Sequence, residues 1–227
     1  MTHPALSVFC DFDGTVTTRD VVNELLGALA DPLWMAIEAE WEQGRIGSRE
    51  CLARQIPLIR GGWPAIERVL SAVRLDPTFS EFAVWCASHA VPLIIVSDGL
   101  DRVIAWLLER ERIHVDAVWA NQLVAGEDGT LSIAFPHPPR ERDCRVGLCK
   151  CQVLAQAVHR RVVIGDGLSD LCWATRADYC FAKGRLLALC RAQQIACRAF
   201  ESFATIQHAL EPLLPQSGRL SACIRES

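Results

Sequence analysis

Asp11 and Asp13 stand two residues apart in the segment DFDGT (11–15). Two carboxylates held that close repel each other unless something positive binds between them. A hard divalent cation answers that need, and magnesium takes a few carboxylate and carbonyl oxygens together with waters and substrate phosphate. A second group, SDG at 97–99, presents a hydroxyl and backbone N–H groups of Ser97, Asp98 and Gly99 where a phosphate would fit. A third, GDGLSD at 165–170, supplies Asp166 and Asp170 across a glycine-containing turn. Each segment alone also reads as an ordinary Asp-Gly turn or helix cap. Three such segments expected on one sheet edge are hard to attribute to independent turns. Where a carboxylate must approach an anionic phosphoryl group, a cation is needed to neutralise the approach. Lys150 in GLCKC and Lys183 in FAKG are both candidates on residue type and place.

The elements that must carry these groups are legible as patterns. Residues 5–10 (ALSVFC), 92–97 (PLIIVS) and 161–165 (RVVIG) are short apolar runs that stop abruptly at Asp, Gly or Ser, as buried parallel strands do. Helical periods follow at 100–112, where Val103, Ile104, Leu107 and Leu108 share a face, and at 148–158. The alternation predicts an α/β fold, a Rossmann-like doubly wound parallel sheet. Asp11 and Asp13 then sit where the carboxyl end of such a sheet opens into a crevice. Between the first two strands lie helical signals at 32–43, 48–56 and 64–73, with Pro32 and Pro64 suited to first turns and Ser48 to an N-cap. This predicts a helical cap over 17–80 inserted into a sheet domain made of 1–16 and 81–227. The stretch 117–135, with Gly126 to Gly129 between two alternating runs, reads as a β-hairpin.

Composition narrows the function classes. The 227 residues carry 23 Lys+Arg against 27 Asp+Glu, a net charge of −4, with 51% hydrophobic and 22% charged residues. That is a globular composition without the basic excess of a nucleic-acid binder. No apolar run approaches the ~20 residues of a membrane-spanning helix, and the start of the chain lacks the pattern of a secretory signal, so a cytoplasmic protein with no membrane partner is the expectation. Eleven cysteines, an odd number scattered along the chain, argue for buried thiols and against a disulfide scaffold. Cys144, Cys149 and Cys151 with His137 nearby invite a zinc reading, but their spacing is not that of a usual zinc pair. No cysteine opens the glycine-rich, arginine-ended loop of a cysteine phosphatase. Of the tryptophans, Trp34 and Trp41 are the two placed to line a substrate pocket.

DxDGT, then a strand-ending Ser, then a Lys, then GDxxxD, in that order over about 5–182, resembles the haloacid dehalogenase superfamily of phosphohydrolases. The resemblance implies an aspartyl-phosphate mechanism, with Asp11 as nucleophile and Asp13 as general acid and then base. It implies Mg2+ held by the Asp11 carboxylate, the Asp13 backbone carbonyl and Asp166, with Asp170 supporting that shell. Ser97 and Lys150, with Asp98 and Gly99, would bind the phosphoryl group. The helical insertion after the first motif looks like the phosphoserine-phosphatase branch. Within that branch CDFDGTVT (10–17), FPHPP (135–139), GLCK (147–150) and the stretch from IGDGLSD to DYCFAKGRLLALCRAQQI (164–195) are most similar to the methionine-salvage phosphatases of 2-hydroxy-3-keto-5-methylthiopentenyl-1-phosphate. Two features depart from the pattern. SDG stands where a glycine pair commonly follows the Ser, and Gln55, with Arg54 beside it, stands where phosphoserine phosphatases place an Arg; Asp20 could supply the acid that they use. The expected partner is a small phosphorylated metabolite, with phosphoserine phosphatase or a phosphotransferase of the same superfamily as alternatives. The sequence carries no signal for oligomeric state.

Overall fold

The structure is a computed structural model and describes residues 6–140 and 144–214. Ala5 of the first expected strand and residues 141–143 after FPHPP lie outside the described residues.

Strand β1 (Leu6–Cys10) leads into five helices, α1 (Val21–Leu29), α2 (Trp34–Glu42), α3 (Ser48–Gln55), α4 (Gly62–Leu70) and α5 (Phe79–Ser88). The chain then runs through β2 (Leu93–Leu100), α6 (Asp101–Arg110), β3 (Ala117–Ala125), β4 (Leu131–Ala134), α7 (Lys150–Leu154) and β5 (Arg160–Gly165). It closes with α8 (Leu171–Ala174), β6 (Tyr179–Ala182), α9 (Gly184–Ala192), β7 (Arg198–Ala199) and α10 (Phe203–Leu210). The seven strands form one sheet in the order β4-β3-β2-β1-β5-β6-β7, parallel except for the antiparallel β3–β4 hairpin. The expected α/β doubly wound fold and the 117–135 hairpin are therefore present.

Alternation along the central strands explains why they are buried on both faces. Leu6, Val8 and Cys10 of β1 and Val162 and Ile164 of β5 face the larger core with α1, α4, α5, α6 and α10. Phe9, Val163 and Val96 face a second core with α7 and Trp173. The inserted helices α2 and α3 share a small cluster of their own, Ile37, Ile46 and Cys51, with Trp41 against it. The expected boundary at 80/81 falls inside α5, whose Phe79 meets Phe203 of α10 edge-on at 4.8 Å.

Two local expectations differ. The helix expected over 148–158 spans only Lys150–Leu154, with Cys149 extended at its N-cap; the Leu148 N–H goes to Asp98, and Val158, which the apolar period placed inside, is 88% exposed. Ser48 does not cap α3; Gly47 holds that position in extended geometry, and the Ser48 hydroxyl is committed instead to Asp98. Among the described residues no helix is long and apolar enough to cross a membrane.

Candidate active site

Register sets the level of the site. Cys10 pairs with Ile95 of β2 and with Ile164 of β5, so Asp11, Ser97 and Asp166 leave three adjacent parallel strands within two residues of one another. Because β2 and β5 flank β1, this is the switch point of the sheet, where such folds open a crevice. Here the three sequence-predicted clusters meet.

Lys150, at the start of α7, is 2% exposed. Its Nζ donates to Asp11 Oδ1 at 2.6 Å and Asp170 Oδ1 at 2.7 Å and lies 4.9 Å from the centre of the Trp173 ring. Lys183, the other lysine in question, reaches the Thr15 carbonyl at 3.1 Å and braces the 11–15 loop from behind. The second oxygen of Asp170 accepts the backbone N–H groups of Asp166 and Gly167 at 3.1 and 3.0 Å. Asp170 is thus fully engaged in shaping the loop.

Asp11, Asp166 and Asp170 offer oxygen atoms that all lie within 4.8 Å of one another. Burial, with Asp170 next, pushes the Asp11 carboxyl well above the usual carboxylate range against the pull of Lys150, and burial raises Asp166 as well. Burial also opposes the Lys150 charge, but Asp11 and Asp170 outweigh it and hold the ammonium above its ordinary range. The site is short of positive charge and its donors are all oxygens, which fits a hard divalent cation and not a thiophilic one.

Asp13 lies outside this trio. Its Oδ1 accepts the Val21 N–H at 3.1 Å and its Oδ2 the Ser97 hydroxyl at 3.4 Å. Burial, followed by repulsion from Asp20, raises it to about 7, within the range of a group that both gives and takes protons near neutrality. Gly99 donates its N–H to Ser97 Oγ at 3.0 Å, and a Cβ at Gly99 would collide with Asp13 Oδ2. Gly14 is in the left-handed region, at φ +73, and a Cβ there would come 2.6 Å from Asp166 Oδ2. Asp98 turns its carboxylate away, to Ser48, Leu148 N and Asn121, so toward an anion it offers only backbone.

A cleft opens beside Asp13 and Gly99, roofed by the inserted helices through Glu38, Trp41, Leu52 and Gln55. Trp34 is not part of its lining; its carbonyl accepts a bond from Gln55 at 3.3 Å. Gln55 is 1% exposed and donates to Glu38 at 2.8 Å, whereas Arg54 points outward to Glu40 at 2.8 and 3.1 Å. Among the described residues that line this cavity there is no lysine or arginine. Cys149 and Cys151 are buried in the second core, with Cys144 packed against it. Residues without a sequence signal complete the site. Thr15 donates to Asp166 Oδ1 at 2.7 Å, which its place within DFDGT could have suggested, while nothing in the pattern pointed to Asn121 or Glu38.

Comparison with known proteins identifies the family and the fold. The family model of the haloacid dehalogenase-like hydrolases matches residues 8–175. A protein of Geobacillus kaustophilus named as 2-hydroxy-3-keto-5-methylthiopentenyl-1-phosphate phosphatase is 31% identical over 214 residues, 91% of this chain and 96% of that relative. A protein of the same name from Brevibacillus brevis is 26% identical over 91% of this chain and 95% of its own length. Among solved structures, a substrate-bound phosphoserine phosphatase superposes with a TM-score of 0.70 at 16% identity, covering 92% of this chain and 99% of that one. A hydrolase of the same superfamily from Salmonella enterica superposes with a TM-score of 0.72 at 19% identity, covering 94% and 72%. At these identities the structures speak for the fold.

Proposed function

The chain belongs to the haloacid dehalogenase-like hydrolases, and on that premise we propose that this phosphoric monoester hydrolase is magnesium-dependent and cleaves a small phosphorylated metabolite through a phosphoryl group carried on Asp11. The observation that carries the reading is the Lys150 bridge. A buried ammonium 2.6 Å from Asp11 Oδ1 orients that carboxylate and lowers the cost of bringing a phosphoryl group against it.

Asp11 attacks phosphorus, and Asp13, held at the cavity edge by Val21 N–H and Ser97, gives its proton to the leaving oxygen. Asp13 then takes a proton from the water that hydrolyses the aspartyl-phosphate. Ser97, the Asp98 N–H and Lys150 hold the phosphoryl oxygens, while the Gly99 N–H, donated to Ser97 Oγ, holds that hydroxyl in place. Asp11 and Asp166, with the Asp13 carbonyl, would hold Mg2+, while Asp170 fixes Lys150 and the 166–167 amides. The cation would supply charge neutralisation for the transferring group. Within 17–80, helices α2 and α3 serve as the cap, roofing the cavity beside Asp13 and keeping bulk water from it.

For the substrate we favour 2-hydroxy-3-keto-5-methylthiopentenyl-1-phosphate, the compound in the names of the relatives at 26–31% identity. The cavity supports a neutral tail. Its wall offers Asn23 and Gln55 for oxygens and Val22, Trp41 and Leu52 for an apolar end, and it brings Asp20 and Glu38 but no cation to meet a carboxylate. Phosphoserine would leave its carboxylate facing like charge. Phosphate release from a panel containing the methionine-salvage intermediate, phosphoserine and sugar phosphates, with and without Mg2+, tests the proposal. Preference for phosphoserine would refute the substrate, and absence of Mg2+-dependent release from every ester would refute the reaction.

A further inference from the structure

Building on that phosphatase reading, we propose that Asp98 is a positioning residue whose carboxylate latches the helical insertion, through the Ser48 hydroxyl, onto the strand end bearing Ser97 and the loop bearing Lys150. Its Oδ2 accepts Ser48 Oγ at 2.6 Å, and its Oδ1 accepts the Leu148 N–H at 2.7 Å and Asn121 Nδ2 at 3.3 Å. Ser48 and Leu148 each lie 50 residues from Asp98 in sequence, so one side chain ties three remote segments together. Hydrogen bonds to an ionised acceptor are roughly twice as strong as neutral ones, and a residue without a side chain at 98 would leave the Ser48 and Leu148 donors without this acceptor.

The surroundings are built around this contact. A Cβ at Gly147 would come 2.9 Å from Asp98 Oδ1 and 2.8 Å from Asn121 Nδ2, so bare backbone is what lets the loop approach. Asn121 donates to the Asp98 carbonyl at 2.6 Å while its own buried Oδ1 has no partner. An amide left half satisfied marks an orientation imposed by Asp98, since the flipped amide would set oxygen against oxygen. The seam continues outward, where Arg145 donates to the Arg45 and Gly44 carbonyls at 3.1 and 3.0 Å and Arg49 N–H donates to the Arg145 carbonyl at 3.2 Å.

The latch joins both halves of the site. Helix α3 begins at Ser48 and sends Cys51, Leu52 and Gln55 into the cavity wall, while Leu148 lies two residues before Lys150. The Asp98 carboxylate touches no reacting atom itself; it sets the distance between the roof of the cavity and the phosphoryl site. SDG in place of a glycine pair is thereby given a task.

The test pairs hydrogen exchange with turnover in the full-length chain. Ser48→Ala removes the hydroxyl that donates to Asp98 and accepts the Gly147 N–H at 3.4 Å, and should accelerate amide exchange by about tenfold in 48–55 and at the Leu148 amide held by Asp98, the worth of one charge-assisted bond. Hydrolysis of p-nitrophenyl phosphate with Mg2+ should lose about tenfold in kcat/KM, mainly through KM, because fewer molecules hold the cavity roof against the phosphoryl site. Ser48→Thr, which keeps the hydroxyl, should restore both. Unchanged exchange at the Leu148 amide in Ser48→Ala, or failure of Ser48→Thr to restore it, would overturn the latch. A wild-type protein that releases no phosphate would overturn the phosphatase reading instead, and the exchange measurement would still judge the latch.

Discussion

Lys150 and Asp11 are both almost wholly buried, and the ammonium of one lies 2.6 Å from the carboxylate of the other. Removing one member of a buried ion pair leaves a charge with neither water nor partner. Lys150→Met should therefore lower stability by about 3 kcal/mol in urea unfolding carried out in EDTA, and should also remove turnover. An unchanged unfolding midpoint would show that the bridge is not formed in solution.

Asp11→Asn keeps size and shape but is a poor nucleophile. Phosphate release should fall by about a thousandfold or more, as expected when a covalent step is lost. The variant should remain folded, because Lys150 keeps its contact with Asp170 at 2.7 Å. Circular dichroism together with single-turnover assays would check both parts, and turnover near the wild-type rate would exclude Asp11 as the attacking group.

Cation binding should appear as stability. Mg2+ at about a hundred times its dissociation constant should raise unfolding free energy by about 2.7 kcal/mol. Asp166→Asn should reduce that increment, since Asp166 belongs to the acidic trio. A thermal shift with Mg2+ that is equal in both proteins would place the ion elsewhere.

Arg54 and Gln55 are neighbours with opposite fates, one paired with Glu40 at the surface and one buried in the cavity wall. Arg54→Ala should leave KM for the preferred ester within about twofold, as surface ion pairs contribute little. Gln55→Leu should raise KM several-fold at an essentially unchanged kcat by removing a polar contact made equally in ground and transition states. A substrate screen of the two variants reads the difference, and the reverse ranking would mean that the tail lies outside this cavity.

The sequence by itself determined the sheet and the family to which the chain belongs. Apolar runs ending at Asp11, Ser97 and Asp166 are local patterns, and strand burial follows from them wherever the helices pack. The order DxDGT, Ser, Lys, GDxxxD similarly needs no coordinates to be read. What only the tertiary structure decided was side-chain direction across long separations. Lys150 touches Asp11 while Lys183 reaches the Thr15 carbonyl, a choice that residue type left open. Ser48 looks like a cap from its neighbours, yet its hydroxyl goes to Asp98, 50 residues away. The reason is physical: periodicity reports which face of an element is apolar, whereas a polar atom's partner depends on which other segments the fold brings within about 3 Å of it.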